Sequence, residues 1–167
     1  MKNAAPRIPK LAPIRKARAR TAWDLCRAVC AAILEEPKRY DQSTFCSRYD
    51  AEEVADNPEL PACGTIACRA GWIVALHDGG ITVPCSRVET RAQTILGTGD
   101  TTDLFDIAAL FFEACKGCPA YARSSPQRRN AQKGVWGLRQ WMKTHEAQLK
   151  ARLLKDVPEL SKKERVP

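Results

Sequence analysis

The apolar positions of this chain recur with a helical repeat far more often than with the alternation of a strand. Leu25, Cys26, Val29, Cys30, Ile33 and Leu34 fall on one stripe, which predicts an amphipathic helix over 22–35. Thr21 and Asp24 make a capping box at its start, with Asp in place of Glu, and Pro37 stops it. A second helix is predicted behind Thr65 as N-cap, ending at His77 before Gly79 and Gly80. Ile66, Ala67, Ala70, Ile73, Val74, Ala75 and Leu76 cover most of its circumference, which marks it as the central, buried element.

Ile81 to Val83 read as a short extended piece before Pro84. A third helix follows a capping box of Ser86 and Glu89, turns Ala92, Ile95 and Leu96 inward, and ends at Gly97. A fourth, over 102–114, is the most apolar. The last helix opens on a Ser125–Pro126 pair, typical of N-cap and first helical position. It carries Val135, Leu138, Trp141, Met142, His145, Leu149 and Leu153 inward, and Pro158 ends it. Gly134 and Gly137 should weaken it by roughly 1 kcal/mol each. Residues 38–62 read as a long polar connection that Tyr40, Phe45 and Tyr49 pin to the core. Pro6, Pro9 and Pro13 keep the first twenty residues extended or disordered.

These elements predict a mainly α protein: a single compact domain of about five helices over 21–155, with flexible basic ends at 1–20 and 156–167. The chain has 167 residues, enough to bury a core without disulfides. Its longest apolar run, 28–34, is far short of the ~20 residues that span a bilayer, so no membrane contact is expected. Residues 1–20 have no apolar stretch of a secretory signal and no Ser of a transit peptide, which suggests a cytoplasmic protein. In that reducing setting its eight cysteines should be thiols or metal ligands rather than disulfides.

Charge changes the picture more than composition does. The net charge is +8, but residues 1–20 carry +7, residues 21–113 carry −8, and residues 114–167 carry +9. A polyanion or acidic protein surface would therefore meet the ends, not the middle. The candidate contacts are Arg15, Lys16, Arg18 and Arg20 at one end, and Arg123, Arg128, Arg129, Lys133, Arg139 and Lys143 at the other.

The densest local signal is Cys63-Gly64-Thr65-Ile66-Ala67-Cys68-Arg69-Ala70-Gly71-Trp72. It resembles a set of small, uncharacterised bacterial and phage proteins that share CGT-x-x-C-x-A-G-W. In them an upstream W/Y-D-Q segment, here Tyr40-Asp41-Gln42, and downstream Leu-Gly and Leu-Phe pairs, here Leu96-Gly97 and Leu104-Phe105, accompany the motif. The resemblance spans about 40–105 and leaves both basic ends outside. It implies a small helical fold in a phage or mobile-element setting, and it implies no activity.

The motif itself admits three readings. In the first it is structural: Gly64 gives a tight turn, Gly71 a close approach, Trp72 an anchor, and the thiols are buried like Cys26 and Cys30. In the second, Cys115 and Cys118, a Cys-x-x-Cys with a glycine in the turn, join Cys63 and Cys68 around one structural zinc, with Cys46, Cys85 or His77 as alternative ligands. In the third, Cys63 sits at a helix N-terminus that lowers its pKa, as a catalytic or thiol-redox cysteine paired with Cys68. His77, oriented by Asp78 or Asp41, would be the base, yet it stands at the far end of the same helix. His145, on an apolar position, reads as a packed histidine. The function expected from all this is a non-enzymatic binding or accessory protein that contacts nucleic acid or an acidic protein through its basic ends. The alternatives are a cysteine-dependent enzyme and a zinc-stapled interaction module.

Overall fold

Helix α1 (Ala22–Glu35) forms where its apolar stripe and cap both require it: the Thr21 side chain accepts from the Asp24 amide, and the Asp24 carboxylate accepts from Thr21 in return. The computed structural model of the chain describes residues 10–43, 46–57, 59–97, 118–121 and 123–154. Residues 1–9, the expected helix over 102–114, Phe45, Phe105, Cys115 and the tail 156–167 lie outside them.

A 3-10 turn, Pro37–Arg39, follows α1. The stretch read as a plain connection then folds into strand β1 (Cys46–Arg48) and helix α2 (Ala51–Asp56). Asp50 caps α2 through the amides of Glu52 and Glu53, and Glu53 closes a capping box. The Asp50-Ala51-Glu52-Glu53 run carried that signal in the sequence.

The expected helix from Thr65 does not start there. Thr65–Ala67 is instead strand β2, antiparallel to β1 with Cys46 opposite Ala67, and α3 (Arg69–Asp78) begins after Cys68 as N-cap. The β-branched Thr65 and Ile66 complete a ladder that a helix would forgo. From Arg69 to Leu76 every residue of α3 is buried, so it is the central helix as expected. Gly79, at φ +84, ends it in the left-handed conformation, and Gly97, at φ +79, ends α4 (Val88–Leu96) the same way. The expected Ser86–Glu89 capping box does not form: a 3-10 turn, Cys85–Arg87, leads into α4, which has no side-chain cap.

Helix α5 (Pro126–Thr144) starts on the Ser125 cap, whose hydroxyl accepts from the Arg128 amide. It breaks at His145, and a separate α6 (Glu146–Ala151) continues. The His145 Nδ1 lies 2.9 Å from the Trp141 carbonyl oxygen, which also accepts from the His145 amide at 3.2 Å. After the break the chain turns back on α1: Leu153 bridges Thr21, and the Ala22 amide donates to Arg152.

The structure is mainly helical, with α1 laid against α3, α5 and α6 and with α4 on the other side of α3. No helix among the described residues is long and apolar enough to cross a membrane. The basic arm is not free over its described part. Residues 10–20 run extended along the body, with the Ala12 amide donating to Ala62 and the Ala17 amide to Leu76. Ile14, Ala17 and Ala19 pack on the core and supply the burial that the prolines alone did not predict.

Candidate functional site

The motif residues assemble into one latch. Tyr40 bridges to Ala67 beside β2, and the Asp41 amide donates to the Ala67 carbonyl. The Tyr40 hydroxyl and the Arg69 Nε both donate to Gln42 Oε1, at 2.8 and 3.2 Å. Arg69 is 2 % exposed, and a buried guanidinium demands such acceptors. Trp72, wholly buried, donates its indole N–H to the Arg39 carbonyl at 2.8 Å, and the Arg39 guanidinium lies 5.3 Å from its ring centre. Tyr40-Asp41-Gln42 and Cys68 to Trp72 are thus held against each other.

The cysteines divide in the same way. Cys63 is buried, and its thiol donates to the Thr65 carbonyl at 3.7 Å. It does not precede a helix, because β2 intervenes, and Cys68 takes the N-cap position of α3 instead. Burial raises the Cys68 thiol pKa despite the neighbouring amides of Gly71 and Ala70, so the helix terminus does not yield a thiolate there. Cys26 and Cys30 are core residues of α1. Burial raises both, Cys30 to about 11 against the opposing pull of the Arg139 guanidinium.

Cys118 is a half-buried thiol. Among the described residues no three His, Cys, Asp or Glu side chains are grouped to hold a metal, and Cys115 lies outside them. Cys85, expected as a thiol, is disulfide-bonded and surface-exposed.

His77 stands at the C-terminal end of α3, the end away from Cys68. Its Nδ1 lies 2.6 Å from Asp78 Oδ1, but Asp78 also accepts from Arg91 at 2.8 and 3.0 Å and from Thr82 at 3.0 Å. Burial alone would raise the Asp78 pKa, yet the donors His77, Arg91 and Thr82 hold it well below the usual carboxylate range. The group is a clamp between α3 and α4 rather than a base waiting for a substrate.

A different arrangement lies between α1 and α5. Two clefts open along the line where these helices meet. One, of about 400 Å³, is walled by Trp23, Arg27, Cys30 and Ala31 of α1 and by Arg139, Met142 and Lys143 of α5. The other, of about 280 Å³, lies between Leu34, Tyr121 and an α5 face of Arg128, Gln132, Val135, Trp136 and Arg139. Arg139 borders both, which sets the two clefts side by side along this seam. Among the described residues no carboxylate lines either.

The pairing of Trp23 with Met142 and of Leu34 with Val135 shows the helices to be antiparallel. Over its 19 residues α5 carries Arg128, Arg129, Lys133, Arg139 and Lys143 and no acid. Its buried positions, Ala131, Gly134, Val135, Leu138, Trp141 and Met142, seat it on the core, and Arg128, Gln132, Trp136, Arg139 and Lys143 border the seam.

Of the ten expected basic contacts, Arg128, Arg139 and Lys143 line the seam. Arg123 and Lys133 are exposed and Arg129 half-buried, outside the cleft walls. Arg15, Lys16, Arg18 and Arg20 are exposed on the extended arm, which passes the C-terminal end of α3. Sequence reading missed Arg27, which belongs to the acidic middle, and Trp23 and Trp136. The helical spacing of Trp23 and Arg27, one turn apart, was the available signal. No family model, no curated protein and no solved structure matches this chain.

Proposed function

We propose that this protein is a non-enzymatic binding module that holds a polyanionic partner in the seam between α1 and α5. One observation carries the reading. Four cations, Arg27, Arg128, Arg139 and Lys143, line two neighbouring clefts that no acidic side chain among the described residues lines. A low-dielectric cleft of one sign concentrates counter-charged ligands beyond what a flat basic surface does. The extended arm, with Arg15, Lys16, Arg18 and Arg20, offers a second basic strip away from these walls.

The two strips can be separated by charge removal. The chain's retention on immobilised polyphosphate would be compared with that of two variants, one with Arg128, Arg139 and Lys143 changed to Gln, the other with Arg15, Lys16, Arg18 and Arg20 changed to Gln. The seam variant should elute at markedly lower salt. If only the arm variant does so, the seam is not the binding surface. A cytoplasmic accessory role fits the sequence, and a Cys85 disulfide that persists in cells quenched with a thiol-trapping agent would argue against that compartment.

A further inference from the structure

The chain has four tryptophans, and they divide cleanly. Trp72 and Trp141 are buried in the core, at 0 and 5 % exposure. Trp23 and Trp136 are half-buried, and both line the seam, one in each cleft. Each also has an arginine within one helical turn on its own face: Arg27 four residues after Trp23, and Arg139 three residues after Trp136. The Lys150 ammonium, paired with Glu146, lies 5.2 Å from the Trp23 ring centre and adds no unpaired cation there. A flat apolar surface beside a phosphate-sized positive charge therefore occurs twice along one groove. From Arg128 to Lys143 the cations span about 22 Å of helix at 1.5 Å per residue.

Resting on the polyanion reading above, we propose that the seam binds single-stranded nucleic acid, with phosphates on Arg27, Arg128, Arg139 and Lys143 and bases stacked against Trp23 and Trp136. Every base has a π face, so two indoles in a groove lined by cations favour a splayed strand without favouring a sequence. A run of acidic side chains would satisfy the cations but offers no aromatic face to the indoles. A duplex keeps its bases stacked inside, and its major groove takes a protruding helix, whereas α5 lies along α1 and borders a concavity.

The full-length chain would be titrated with a labelled oligothymidylate, with the duplex of equal length and with polyglutamate, by anisotropy and by tryptophan emission. The strand should bind more tightly than either competitor and quench the emission. Its log affinity should fall against log salt with a slope of about −3 if four phosphates are neutralised. Trp136→Ala should weaken the strand roughly 5- to 150-fold, the loss of one stacked base, and leave polyglutamate unchanged. Trp136→Phe should restore most of the loss. Should Trp136→Ala not fold, the exposed Arg128→Gln and Lys143→Gln pair should still reduce the salt slope by about 1.4. Polyglutamate or duplex binding as tightly as the strand, with no quenching, would overturn the stacking site and leave the polyanion reading standing. Failure of all three ligands to bind would overturn both.

Discussion

Gly134 offers a test in which tertiary structure reverses what local propensity predicts. It lies within α5, where Gly→Ala ordinarily stabilises a helix by about 1 kcal/mol. Here an added Cβ would fall 2.5 Å from the Cε1 and hydroxyl oxygen of Tyr40, and closer still to its Cζ. The Tyr40 ring is 8 % exposed, its hydroxyl is bonded to Gln42, and its backbone is bridged to Ala67, so it cannot swing aside cheaply. Overpacking of this kind costs about 1–3 kcal/mol, which outweighs the propensity gain.

Gly134→Ala should therefore destabilise the protein by up to about 2 kcal/mol, the difference between those two effects. With Tyr40→Ala as background the ring is gone, and the same substitution should stabilise by up to about 1 kcal/mol. The coupling between the two positions is then about 1–3 kcal/mol, the overpacking cost itself. Urea unfolding of the four chains, followed by tryptophan emission, measures it. An equal effect of Gly134→Ala in both backgrounds, of either sign, would refute the idea that Tyr40 sets the need for glycine.

Two further outcomes follow from the charges and thiols. Because its donors hold Asp78 below its ordinary 3.8, it contributes stability that is present above that value and lost as pH falls through the folded-state value. Asp78→Asn should cost about 3 kcal/mol at neutral pH, and the gap to the parent chain should narrow below about pH 4 in acid titrations of urea midpoints; a gap that widens in acid would contradict the clamp. Under native, non-reducing conditions near neutral pH, half-buried Cys118 should alkylate far faster than Cys26, Cys30, Cys63 or Cys68, and Cys85 should become labelled only after reduction. Mass spectrometry of the labelled peptides reads this directly, and rapid native labelling of Cys68 would revive the thiol-based alternatives.

What the sequence determined by itself is the part that local forces decide. The span and cap of α1, the Ser125–Pro126 start of α5, the left-handed glycine ends at Gly79 and Gly97, and the burial of Cys26, Cys30 and the Trp72 segment were all legible. Each rests on neighbours within a turn or two, or on hydrophobic periodicity alone. The α2 capping box was equally local and was passed over because the segment around it is polar.

Partners distant in sequence decided the rest. Thr65 to Ala67 form a strand because Cys46 to Arg48 lie beside them, and that pairing moves the helix start from Thr65 to Arg69 and puts Cys68, not Cys63, at its tip. Residues 10–20 are ordered because Ala62 and Leu76 accept from their amides. Gly134 is needed because Tyr40, 94 positions earlier, fills the space its side chain would take. The seam itself exists only where α1 meets α5, which sets Arg27 of the acidic middle beside Arg139 and Lys143 of the basic end. Charge counted along the chain assigned these residues to opposite regions; packing of two apolar stripes, whose burial is indifferent to sequence distance, brought them together.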